Sequence, residues 1–312
     1  MAYYLDEINS RAKADPEAFI EECDEVYRKK VDLAADMIIK NLPHSPIVLL
    51  SGPSGSGKTT TAMKLEEELK KRGVGTHSVA MDNYFLTRTS DNMPRSPDGS
   101  VDLESPGCMD MDLLNLHFTM LSKGESVLIP RFEFSRQIRV LEGSKTLRLR
   151  KDEIAIFEGI HALNDDITNV HPEAFKLYLS ARSDVTGGDN KLCFKGTWMR
   201  LVRRCVRDNL YRGMNVNLTL GLWANVRRGE KLYISPFKDK ANLKFDSSFP
   251  YEVPVFKTLA PDLFAKVPEG TERFEELRSI IPAFELFEEI DPALLKPDSL
   301  LREFIGGGIY EY

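Results

Sequence analysis

Residues 52–59, Gly-Pro-Ser-Gly-Ser-Gly-Lys-Thr, set glycines, a lysine and a hydroxyl at the spacing GxxxxGK[ST], a pattern suited to holding a polyphosphate. Gly52, Gly55 and Gly57 permit backbone angles and close approaches that a Cβ would obstruct. Such a turn can point successive N–H groups at phosphate oxygens. Lys58 can reach the β- and γ-phosphates, and the Thr59 hydroxyl can bind Mg²⁺. Ser54, Ser56 and Thr60 complete the expected nucleotide-binding set. A helix starting here adds its positive end to the same place. A Gly/Ser-rich turn matching by accident would lack the context present here, the apolar run Ile47–Leu50 before the loop and a helical pattern after it.

A phosphate loop alone does not separate kinases from GTPases or transport ATPases, so acids at the ends of buried strands carry the next step. Asp82 follows an expected strand His77–Met81, inside MDNYF, where a carboxylate could accept the proton of an attacking hydroxyl or position Mg²⁺. Glu158 follows IAIF and could hold Mg²⁺ or its water shell. A helix cap or loop acid is the plainer alternative for either. Asp184 and Asp208 follow no buried strand directly. A third cluster lies in WMRLVRRCVRDNLYRG, where Arg200, Arg203, Arg204, Arg207 and Arg212 occupy little more than three helical turns. The i,i+4 pairs Arg200/Arg204 and Arg203/Arg207 share one broad face, where polyphosphate would relieve the repulsion and guanidiniums could stabilise a transferring phosphoryl group. A basic face paired with acids elsewhere in the chain remains the rival.

The elements that must position these groups follow from periodicity. IVLL at 47–50 and IAIF at 154–157 are apolar throughout, as strands covered on both faces are. A helix is expected from about Lys58 to Arg72, stopped by Gly73. Others are expected over Met111–Leu121, Thr197–Tyr211 and Thr271–Ile280, and a further strand over Phe175–Leu179. Residues 138–150 alternate around Gly143 and predict a hairpin outside the parallel sheet. Thr87–Pro106, rich in Pro, Asp and Ser, predicts an irregular excursion over the active site. The segment before Ile47 reads as mainly helical, with a turn at Asp15–Pro16 and an apolar stripe of Val31, Ala34, Ala35, Ile38 and Leu42. The expected architecture is α/β, a P-loop nucleoside triphosphate hydrolase fold: a mainly parallel sheet flanked by helices, with a small antiparallel insertion and a basic helix. We divide it into a helical arm (1–43), a main P-loop domain (44–268) and a C-terminal helical extension (269–312).

Composition narrows the function classes. The 312 residues are 42% hydrophobic and 29% charged, ordinary for a globular protein. No apolar run is long enough to cross a bilayer, and the acidic N-terminus carries no secretory signal, so the expected location is the cytoplasm without a membrane partner. Cys23, Cys108, Cys193 and Cys205 show neither CxxC spacing nor a paired His cluster, which argues for four reduced thiols against a zinc or disulfide framework. A formal charge of −6 argues against broad nucleic-acid binding.

GPSGSGKTT at 52–60, MDNYF at 81–85, DLESPGCMD at 102–110, PRFEF at 130–134, FEGIHALN at 157–164 and RLVRRCVRDNLYRG at 200–213, in this order, resemble the phosphoribulokinase/uridine kinase family, and the bacterial uridine kinase-like proteins within it. The resemblance implies transfer of the γ-phosphate of ATP, with GTP an open alternative, to the 5′-OH of uridine or a related nucleoside, by a P-loop kinase domain (44–268) whose basic helix belongs to a lid around 184–228. It implies Asp82 as general base, with Lys58, Arg200, Arg203 and Arg207 acting on the phosphates, and Mg²⁺ managed by Thr59, Asp82 and Glu158. The acceptor set it implies is Asp82, Tyr84, Phe85, Asp110, Phe132, Gln137, Arg139 and Arg200. Phe132-Glu133-Phe134 stands where the family has a YDF segment, and Gln137 where it has a base-reading histidine. A kinase of a sugar phosphate or vitamin-like alcohol and a nucleotide-gated regulator are the rival readings. Homo-oligomerisation is left open.

Overall fold

A computed structural model describes residues 2–89, 93–97, 99–134, 136–188 and 190–311. Residues 90–92 and 98 of the expected excursion, and residue 189 within the expected lid, therefore lie outside the described residues. In chain order the strands are β1 (Ala2–Tyr4), β2 (Ile47–Ser51), β3 (Gly75–Ala80), β4 (Val127–Glu133), β5 (Ile138–Leu147), β6 (Glu153–Glu158), β7 (Phe175–Ser180), β8 (Asp184–Thr186), β9 (Leu192–Phe194) and β10 (Leu243–Asp246).

The central sheet runs β10-β7-β2-β6-β3 with every pairing parallel. Its apolar runs are continuous because both faces are covered, and alternate residues feed opposite layers. On β2, Val48 and Leu50 join one hydrophobic cluster, while Ile47 and Leu49 join the other. On β6, Ile154 and Ile156 face the first layer, and Ala155 and Phe157 the second. The helix Lys58–Lys71 fills the first layer with Ala62, Leu65 and Leu69. The long helix Pro16–Asn41 covers it with Tyr27, Val31, Ala34, Ala35 and Ile38. Asp15 caps that helix by accepting from the Ala18 N–H at 2.9 Å, with Pro16 in its first turn. The helix Met111–Ser122 covers the other face through Leu114, Phe118 and Leu121.

The α/β architecture agrees with the expectation, and two local readings need correction. The N-terminal segment is mainly helical, as expected, and adds one short strand: Ala2–Tyr4 pairs parallel with β8 in a three-stranded sheet completed by β9. The antiparallel insertion pairs β4 with β5, and residues 138–147 form one strand instead of a hairpin about Gly143. Opposite Ile129–Arg131 the register jumps from Lys145 to Val140, so Leu141–Ser144 bulge outward. Gly143 takes φ 77° there, which supplied the turn signal without making a turn between strands. The final long helix runs Phe274–Phe284, displaced from the expected Thr271–Ile280. Strand β10, LKFD, had no sequence signal because its burial comes from packing at the sheet edge.

Candidate active site

The phosphate loop leaves β2, the middle strand of the sheet, and enters the helix at Lys58. Gly55 and Gly57 have φ 76° and 78°, left-handed values that disfavour a side chain. A Cβ at Gly52 would lie 2.3 Å from the Leu179 carbonyl oxygen, so that position admits only glycine. The loop carbonyls are gripped from behind. Arg200 Nη1 donates to Ser54 O at 3.1 Å, Arg203 Nη1 to Gly55 O at 3.0 Å, and Ser247 Oγ to Ser56 O at 2.6 Å. In a trans peptide N–H lies opposite C=O, and no cis bond occurs among the described residues. The N–H groups of Gly55 and Gly57 therefore point to the other side of the loop, as a phosphate cradle requires.

That side opens on a cleft of about 200 Å³ lined by Gly55, Lys58, Thr59, Asp82, Glu158 and Arg207, among others. Lys58 folds back over the loop, its Nζ 3.3 Å from Pro53 O. Asp82 sits in the short 3₁₀ turn Met81–Tyr84 that follows β3, and Glu158 ends β6 beside it in the sheet. Parallel neighbouring strands thus deliver both acids to the carboxyl edge, facing the loop.

Electrostatics knit these groups together. Burial lowers the Lys58 ammonium, against the pull of Glu158, Glu303 and Asp82. Burial pushes the Glu158 carboxyl up to about 7; Lys58 and a Thr59 hydrogen bond oppose the rise, and the charges of Asp82 and Glu303 reinforce it. Asp82 is also raised by its protein surroundings, against Lys58 and Arg212, although its side chain still touches the water of the cleft. A bound divalent cation fits such a set: Thr59 Oγ1 lies 3.4 Å from Glu158 Oε1, and the poorly solvated carboxylate there lacks a full counter-charge. No group of three or more His, Cys, Asp or Glu suited to a metal occurs among the described residues. A magnesium ion here would therefore depend on one hydroxyl, one or two carboxylates and donor phosphates, its usual mode in phosphotransferases.

The basic helix, Gly196–Tyr211, divides its arginines between two tasks. Arg204, Arg207 and Arg212 line the cleft and converge on buried Asp208, at 3.3, 2.6 and 3.7 Å. Arg200 and Arg203 do not face it. Both are 0% exposed, Arg200 paired with Glu230 at 2.7 Å and Arg203 with Glu252 through a 2.9 Å bond and a second, shorter one. The expectation that these two touch phosphate or acceptor is corrected: their guanidiniums are spent on buried carboxylates and loop carbonyls.

A second pocket of about 160 Å³ adjoins the cleft and shares Phe85 and Leu103 with it. Phe85, Phe132 and Phe134 form an edge-to-face triangle with centroid separations of 5.6, 5.1 and 6.4 Å. Gln137 lines this pocket, but its side-chain oxygen accepts from Arg88 and its backbone takes φ 56°. Asp110 caps the helix Met111–Ser122 and pairs with Arg139 at 2.8 Å, so those two hold each other. Tyr84 is 0% exposed, its hydroxyl 2.9 Å from His117 Nδ1, which makes it a core residue and not an acceptor contact. Thr60 is covered by Glu303, whose Oε2 lies 2.6 Å from its hydroxyl and 3.2 Å from its N–H. Sequence reasoning missed Glu303, Glu104 and Arg88. Glu104 and Glu303 line the cleft; Glu104 lies within DLESPGCMD, whose match assigned it no role, and Glu303 lies in no motif.

Residues 47–252 match the Phosphoribulokinase / Uridine kinase family. A uridine kinase of Ureaplasma urealyticum is 24% identical over 201 residues, 64% of this chain and 87% of that protein. One from Bacillus pumilus is 27% identical over 207 residues, 64% of this chain and 85% of that protein. Among solved structures, one assigned as a fructose transport system kinase from Silicibacter sp. TM1040 superposes with a TM-score of 0.51 at 22% identity. It covers 69% of this chain and 98% of its own, and shows the shared fold.

Proposed function

The chain belongs to the phosphoribulokinase/uridine kinase family, and from that premise we propose that it transfers the γ-phosphate of ATP to a hydroxyl of a small molecule, with the 5′-OH of uridine or a related nucleoside as the leading acceptor. The observation that carries this reading is a pair of adjoining cavities. Lys58, Thr59, Asp82 and Glu158 line the one at the loop, and Phe85 and Leu103 are shared between it and the phenylalanine-lined pocket. A planar, partly apolar acceptor suits that triangle of rings.

In the proposed reaction the acceptor oxygen attacks the γ-phosphorus in line. Its bond to phosphorus forms as the bond to the β,γ-bridging oxygen breaks, and ADP leaves with the electron pair. Asp82 takes the hydroxyl proton. Its raised affinity for protons suits a base whose carboxylate must accept one. Lys58, Arg204 and Arg207 stabilise charge on the phosphoryl oxygens. Arg200 and Arg203 act as positioning residues, because they hold the loop carbonyls away from the phosphates. Thr59 and Glu158 would hold Mg²⁺, which would supply positive charge to neutralise the donor phosphates.

One observation bears on which acceptor fits. The Gln137 amide oxygen accepts from Arg88, so its N–H₂ group is the part better placed to meet an acceptor's polar edge. The test is a mass-spectrometric screen of the purified protein with ATP, Mg²⁺, nucleosides, sugar phosphates and other small alcohols. A phosphorylated nucleoside is the expected product. A different phosphorylated alcohol reassigns the acceptor, and ATP binding without product across the panel makes the chain a nucleotide-binding regulator.

A further inference from the structure

The C-terminal segment lies on the start of the phosphate-loop helix. Leu300 packs so closely on Gly57 that a Cβ there would be 2.7 Å from its Cδ1. Phe304 places its ring 4.9 Å from the Arg203 guanidinium carbon, and Asp298 pairs with Lys64 at 2.8 Å. From this platform the short helix Arg302–Ile305 directs Glu303 into the cleft. One carboxylate oxygen, Oε2, accepts from both the Thr60 hydroxyl at 2.6 Å and the Thr60 N–H at 3.2 Å.

Thr60 is in the first turn of the helix that follows the glycine loop, next to Thr59 and Lys58. A backbone N–H and a hydroxyl at that position, at the positive end of a helix, form a donor pair for an anionic oxygen. In this structure the anionic oxygen belongs to the protein. A phosphate and a carboxylate cannot share those two donors, because both are negatively charged and would lie within hydrogen-bonding distance of each other. We infer that Glu303 fills the donor-phosphate subsite at Thr60 and sets the affinity for nucleotide: seating the donor requires this carboxylate to swing off Thr60. The side chain alone has to move. Leu300, Leu301 and Phe304 stay anchored in the core, each no more than 1% exposed. Glu303 is thus an affinity-determining residue from outside the loop motif, and the inference rests on the reading that the loop holds a nucleotide's phosphates.

The experiment compares full-length wild type, Glu303→Gln and Glu303→Ala by calorimetric titration with Mg²⁺–ADP, alongside thermal unfolding without nucleotide. Glutamine keeps an acceptor for Thr60 and loses only the charge; alanine loses both. Tighter ADP binding is expected in both variants, by about tenfold or more, while nucleotide-free Glu303→Ala melts lower for want of its cap on Thr60. Opposite signs in affinity and stability separate this role from a purely structural one, which lowers both together. ADP affinity unchanged or weakened in two cooperatively folded variants would overturn the inference. ADP binding by none of the three proteins would instead overturn the nucleotide-loop reading beneath it.

Discussion

Replacing Glu158 by glutamine removes a carboxyl that burial pushes from 4.5 up to about 7. The folded value lies above the unfolded one, so the fold favours the protonated acid. The stability this lends is fully present below about pH 4.5 and is lost as the pH climbs through 7. At about 1.4 kcal/mol per pH unit, the interval corresponds to about 3 kcal/mol. Part of the Glu158 side chain reaches the water of the cleft, so about 2 kcal/mol is the figure to expect after screening. The assay is urea unfolding of nucleotide-free wild type and Glu158→Gln at pH 5, 6, 7 and 8. The two should have nearly equal stability at pH 5, and the variant should be more stable by about 2 kcal/mol at pH 8. Taking the difference between the proteins cancels the titrating groups that do not sense Glu158, while the coupled Asp82 and Lys58 contribute to the difference that is read. Parallel pH profiles for the two proteins would refute the reasoning, because they would mean that Glu158 is as well solvated folded as unfolded.

Asp82→Asn should lower turnover by about 10²-fold or more while ADP affinity, measured by titration, stays within a few fold; preserved turnover removes the general-base assignment. Arg203→Met leaves Glu252 buried without its ion pair and should cost about 3–5 kcal/mol, read as a lower denaturation midpoint, and lysine at this position should restore little because it cannot span Glu252, Gly55 O and Ser247 O together. Phe132→Ala opens the ring triangle and should raise the acceptor KM by about tenfold with the KM for ATP unchanged, a split measured once the acceptor is identified. Tyr84→Phe should lose about 1 kcal/mol of stability through the His117 hydrogen bond with no change in acceptor KM; a large KM change would return Tyr84 to the acceptor pocket.

Local signals made the donor side of the fold legible. The run at 47–50, the glycine spacing and the helical pattern after Lys58 are contiguous, and Glu158 ends the unbroken apolar stretch IAIF, while Asp82 follows the mixed run HSVAM. The basic helix was legible as a helix but not in what its arginines do. Like-charge repulsion along 200–212 argued for an anionic ligand, yet Glu230 and Glu252, 30 and 49 residues away from Arg200 and Arg203, already neutralise two of the five guanidiniums. Such counter-ions leave no trace in local spacing. Tyr84 misled in the same way, since being next to Phe85 in sequence put it on the opposite side of the chain, against His117. Glu303 reaches Thr60 across 243 positions, a contact that no motif records.

The hold of Arg200, Arg203 and Ser247 on three successive loop carbonyls has a consequence for how a ligand meets this protein. A glycine-rich segment free in solution would lose about 1–2 kcal/mol of conformational freedom per residue when it wrapped around a phosphate. Here that ordering is completed when the chain folds, so the encounter finds a rigid template and little of the binding energy is spent shaping it. The same bonds couple the loop to the helix Gly196–Tyr211: the two cannot separate without breaking charge-assisted hydrogen bonds from buried guanidiniums to loop carbonyls, so a motion that admits or releases a ligand is less costly in parts of the cleft wall that these arginines do not hold.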